Sequence, residues 1–96
     1  MMILVIYDIS VKSEDGPKRL RRISKLCLVF GQRVQYSVFE IEVDAAQWMK
    51  LKNDLMNVMN EQEDSLRFYY LGNNWERKVE HVGAKKPLDL NDLLLM

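Results

Sequence analysis

One cysteine, one histidine, two prolines and four glycines leave this chain with few of the usual carriers of chemistry. Cys27 alone cannot close an intramolecular disulfide, which removes the small secreted scaffolds held together by disulfides. The glycines stand at 16, 31, 72 and 83, too scattered to cradle a phosphate. There is no zinc-ligand spacing, H-E-x-x-H pair, Walker loop or nucleophile elbow, so most enzyme classes lose their signatures. The apolar runs fall far short of the ~20 residues of a bilayer span, and no charged segment precedes an apolar one at the start. No membrane partner is expected, and the cytoplasm is the expected compartment. Net charge is also missing. Fourteen Lys and Arg balance fourteen Asp and Glu, so bulk electrostatics give no pull toward a polyanion.

What is present is a composition of 48% hydrophobic and 29% charged residues in 96 positions, which describes one folded domain over residues 1–96. A domain of this size buries only about 60–65% of its unfolded surface, so extra burial by self-association is expected. The charges are also segregated. Lys12, Lys18, Arg19, Arg21, Arg22, Lys25 and Arg33 face only Glu14 and Asp15 within their stretch. Between 40 and 64 the sign reverses, with Glu40, Glu42, Asp44, Asp54, Glu61, Glu63 and Asp64 against Lys50 and Lys52. A basic patch on a neutral protein follows.

Hydrophobic periodicity sets the order of elements. MILVIY, residues 2–7, is a continuous apolar run suited to a central strand buried on both faces, with Asp8 at its carboxyl end. Pro17 suits a first helical turn, and Leu20, Ile23, Cys27 and Phe30 form one helical stripe ending at Gly31. In QRVQYSVFEIEV, residues 32–43, Phe39, Ile41 and Val43 alternate with Val38, Glu40 and Glu42, with a bend near Gln35 that splits the stretch into a hairpin. Asp44 is a helix N-cap, and Trp48, Leu51, Leu55 and Val58 share the next stripe. LRFYYL, residues 66–71, is another strand, and residues 78–82 alternate again. The order predicts an α+β fold, a ferredoxin-like βαββαβ sandwich with an extra C-terminal strand. Its helices cover one face of an antiparallel sheet. The other face is left for a second protomer, with residues 78–96 expected to be a dimer-docking tail.

Few residues stand out for chemistry. Asp8 ends a buried strand beside Tyr7 and Ser10, a position where such folds often place functional groups, although an Asx turn opening the loop is the commoner reason for an Asp there. A single carboxylate is too little for firm Mg²⁺ binding, and a two-fold axis passing near Asp8 would supply a second. Lys18, Arg19, Arg21, Arg22 and Lys25 repel one another along one helix, a cost that a polyanion relieves. Cys27 falls on an apolar stripe and reads as a packed, unreactive thiol. His81, in a short strand-like piece, reads as structural.

The segments LVIYDIS, PKRLRRISKL, GQRVQYSVFEIEVD, DSLRFYYLGNNW and KVEHVGAK together resemble the CRISPR-associated protein two family, the small partner of the CRISPR integrase. The tail resembles members that accompany type I-C systems. The resemblance implies a ferredoxin-like homodimer with sheets facing and the tail strand crossing to the partner. It implies an endonuclease in which Asp8 pairs with its symmetry mate around Mg²⁺, with Mn²⁺ as a substitute. It also implies roles in the activity for Arg19, Arg33 and Phe39, a supporting role for Ser37, and phosphate contacts at Lys18, Arg21 and Arg22. Two functions are expected on this basis. One is metal-dependent cleavage of RNA or double-stranded DNA during spacer acquisition; the other is a non-catalytic scaffold that grips duplex DNA and bridges integrase dimers. An RNA-recognition module is disfavoured, because the Gly-aromatic core of its signature is absent from residues 32–43.

Overall fold

A computed structural model of the chain describes residues 1–71 and 79–84. The elements are β1 (Met2–Asp8), α1 (Gly16–Leu28), β2 (Gly31–Gln35), β3 (Val38–Glu42), α2 (Ala45–Val58), β4 (Ser65–Leu71) and β5 (Val79–Gly83). They form one antiparallel sheet in the order β2-β3-β1-β4-β5, which is the ferredoxin-like order with one strand added. β1 lies at the centre, and Ile3 to Tyr7 are all buried, as expected of a run that is apolar on both sides.

The two-residue alternation of the strands divides the core. Ile3, Val5, Tyr7, Phe39, Ile41, Leu66 and Phe68 pack with Ile23 and Cys27 of α1 and Trp48, Leu51 and Leu55 of α2. Leu4, Ile6, Val38 and Tyr69 form a second cluster on the opposite face. The helices therefore share one face of the sheet. The Trp48 ring meets Phe68 and Tyr70 edge-on at 4.9 and 5.8 Å, and its Nε1–H donates to the Tyr70 hydroxyl at 3.2 Å. α2 starts where its sequence says it should. The Asp44 carboxylate accepts from the Gln47 N–H at 2.7 Å while the Gln47 side chain accepts from the Asp44 N–H at 2.9 Å, a reciprocal capping box.

Three features add detail. α1 ends at Leu28, and Gly31 opens β2 instead of capping the helix. The bend near Gln35 is a turn at Tyr36 and Ser37 that makes β2 and β3 a hairpin. Residues 79–83 pair antiparallel with β4 of the same chain. Lys52 on α2 pins that strand through Glu80 at 2.7 Å. β5 ends at Gly83, whose φ of 126° is strained for any side chain, and a Cβ there would fall on the Asp64 carbonyl oxygen. The basic turn at 85–87 and the apolar end at 93–95 lie outside the described residues.

Candidate nucleic-acid interface and carboxylate site

Asp8 is exposed at the end of β1, immediately after five buried residues. By strand alternation it follows Leu4 and Ile6 on the face that the helices leave open. The loop after it is fixed from below by Asp64. That carboxylate is fully buried and accepts four hydrogen bonds. The donors are the Ser10 N–H at 2.9 Å, the Asn60 N–H at 2.9 Å, and Arg19 through Nε at 2.8 Å and Nη2 at 3.2 Å. Burial pushes the Asp64 carboxyl up, but the Arg19 guanidinium and the two backbone N–H groups outweigh it and hold the pKa below the ordinary carboxylate value. Arg19 is raised in turn, chiefly by its hydrogen bond to Asp64. Its Nη2 also reaches Ser13 Oγ at 3.0 Å and Glu63 at 3.3 Å. Gly16 completes the arrangement, because a Cβ there would fall on the Ser10 carbonyl oxygen and force the loop away from α1.

Arg19 is therefore misplaced in a reading that puts it on the solvent face. Its side chain is only 12% exposed and is held by Asp64 beneath the loop after Asp8. The signal was present in the spacing. Arg19 stands four residues before Ile23 and eight before Cys27, on the buried side of the helix. Asp64 is one acid among several in its stretch, because nothing local marks a pair separated by 45 positions. Lys18, Arg21, Arg22 and Lys25 do project into solvent. Lys18 and Arg22 join Arg19, Asp15 and Asn60 around a shallow depression of about 350 Å³.

Arg33 and Phe39 meet, but in unequal roles. Phe39 is 0% exposed, because its place in the alternation with Ile41 and Val43 turns it into the helix-side core. That burial leaves the ring no exposed face of its own. The ring is a platform, stacked on Tyr7 at 5.9 Å and covered by the Arg33 guanidinium at 5.1 Å. Arg33 itself is exposed and, with Val34, Gln35 and Tyr36, lines an open hollow of about 360 Å³. Tyr36 is 92% exposed. Ser37 is half-buried in the turn, and its carbonyl accepts from the Tyr7 N–H at 3.0 Å. Asp8 and the pair of Arg33 and Phe39 thus lie on opposite faces of the sheet.

Cys27 is fully buried, and burial pushes its thiol up to about 12, so it stays protonated and unreactive. His81 faces Arg67 across β4 and β5. Both His81 ring nitrogens and the Arg67 Nε and Nη1 are shielded from water and have no hydrogen-bond partner among the described residues. Among the described residues no three His, Cys, Asp or Glu side chains gather as a metal site. Asp8 fits a hard cation as one accessible oxygen ligand, since Mg²⁺ usually combines one or two carboxylates with water and substrate phosphate. The donor set of one chain is incomplete. No described helix is long and apolar enough to cross a membrane.

A family model described as CRISPR associated protein Cas2 matches residues 1–79. Over 96 residues, covering all of both chains, the sequence is 54% identical to the CRISPR-associated endoribonuclease Cas2 of Chlorobaculum tepidum. It is 50% identical over 95 residues to the CRISPR-associated endonuclease Cas2 of Halalkalibacterium halodurans, covering 99% of each chain. The crystal structure of Streptococcus pyogenes Cas2 at pH 6.5 superposes with a TM-score of 0.71 at 49% identity, covering 86% of this chain and all of that one.

Proposed function

The chain belongs to the CRISPR-associated protein Cas2 family, and from that premise we propose that it is a metal-dependent endonuclease of spacer acquisition that cleaves RNA or double-stranded DNA. The observation that carries this reading is the position of Asp8. It is an exposed carboxylate ending an otherwise buried central strand, on the sheet face without helices, in a chain whose relatives are named endoribonuclease and endonuclease. A second copy of the chain on that face brings the second Asp8. Mg²⁺ or Mn²⁺ held by the two carboxylates would neutralise phosphate charge and lower the pKa of a bound water. Asp64, Arg19 and Gly16 hold the loop that follows Asp8, and Lys18, Arg21, Arg22 and Arg33 hold the phosphodiester backbone. The assembled pair is the unit that meets the CRISPR integrase.

Purified protein tests this with labelled single-stranded RNA and duplex DNA in Mg²⁺, in Mn²⁺ and in chelator. Cleavage of at least one substrate with metal, and none with chelator, is expected. No cleavage under any condition, with binding intact, would leave the scaffold reading.

Binding follows a separate rule. Charge reversal at Lys18, Arg21 and Arg22 is expected to weaken binding to every sequence alike and to flatten its salt dependence, since each phosphate neutralised by a cation contributes about 0.9 to the slope of log K against log salt for duplex DNA. A triple variant with unchanged affinity across a salt titration would make this helix face a solvated surface only.

A further inference from the structure

We propose that Ser24 is the positioning residue for Arg33, holding its guanidinium over the hairpin edge so that its remaining donors are presented to a phosphodiester. This rests on the reading of Arg33 as a phosphate contact. Four polar groups form a chain with a single direction. The Tyr7 hydroxyl donates to the Tyr36 carbonyl at 3.1 Å, which uses its only hydrogen. Its 3.2 Å contact with Ser24 Oγ must then run from the Ser24 hydroxyl to Tyr7. Ser24 has spent its own hydrogen, so its oxygen is left to accept from Arg33 Nη2 at 3.0 Å. The Phe39 ring below the guanidinium fixes its height, and Ser24 fixes its rotation. A guanidinium has five N–H donors, and only one is used on Ser24, so a fork remains for phosphate oxygens. The chain also joins three elements, because Tyr7 is on β1, Ser24 on α1 and Arg33 on β2. None of the three sequence segments marks Ser24 by itself.

The test is a double-mutant cycle read as affinity for fluorescent single-stranded RNA and duplex DNA at fixed salt, with Ser24→Ala, Arg33→Ala, the double variant and Ser24→Thr. Ser24→Ala is expected to weaken binding about three- to tenfold, the range of one hydrogen bond. Arg33→Ala should weaken it at least as much, the double variant no more than Arg33→Ala, and Ser24→Thr should restore wild-type affinity by keeping the hydroxyl. Thermal melts of each variant separate this from loss of fold. Additive losses, or an Ala variant that binds normally beside a weakened Arg33→Ala, would overturn the positioning role. An Arg33→Ala variant that binds normally would instead remove Arg33 from the interface, and with it the reading on which the proposal rests.

Discussion

Asp8→Asn is expected to bring divalent-dependent cleavage down to the level of a chelator control, while fold, self-association and nucleic-acid binding stay at wild-type levels. The side chain is exposed and belongs to neither packed cluster, and the amide keeps its size and its hydrogen-bonding capacity. One negative charge is removed per chain, a change that would tighten a polyanion if it altered binding at all. The loss of rate should exceed the 10- to 100-fold typical of groups that merely support a metal ligand, because here the ligand itself is lost in both protomers. Single-turnover cleavage in Mg²⁺ measures it, with light scattering and a thermal melt as controls. Wild-type rates in the variant, after contaminating nucleases are removed, would falsify the catalytic role of Asp8.

Asp64→Ala should be the most damaging single change to the fold. It leaves the Ser10 and Asn60 N–H groups and the Arg19 guanidinium without their buried acceptor. Breaking a buried pair by removing one partner costs about 3–5 kcal/mol, a large share of the roughly 5–15 kcal/mol that holds a domain together. Urea unfolding should show the midpoint falling with little change in slope. Arg19→Met added to Asp64→Leu should be less damaging than Asp64→Leu alone, because no unpaired charge then stays inside. The pair also sets an acid limit. The Asp64 pKa is lower in the folded chain than in the unfolded one, so its contribution is complete above the unfolded value of about 3.9 and is lost as pH falls through the folded one. The variant's stability should accordingly fall less steeply in acid than that of the wild type.

Most of the architecture was legible because it is written in local periods. The two-sided run at 2–7, the alternation at 38–43 and the stripe at 48–58 are each satisfied within one element, and the capping box at Asp44 spans four residues. Asp8 was legible for the same reason, as the charge that ends an apolar run. The site was less legible where its geometry depends on contacts between elements. Arg19 looked like one of five equivalent cations until Asp64 arrived from the start of β4. Phe39 carried a role only through the resemblance, and its place between Tyr7 and α1 is set by the fold. Ser24 carried no signal, since its meaning comes from two strands that approach it only in the folded chain.

The central position of β1 also has a kinetic consequence. β1, which precedes both of its partners in the sequence, is flanked by β3 and β4, with Met2 pairing to Glu42 on one side and Leu71 on the other. Its second neighbour is synthesised only after both helices and the hairpin, so a nascent chain carries ILVIY with an open edge for most of its synthesis. Contacts this remote in sequence slow the search for the native pairing, and an apolar strand waiting for its partner is the kind of segment that associates with other chains. Closure of the sheet around β1 is thereby tied to completion of β4, more than to any local helix formation.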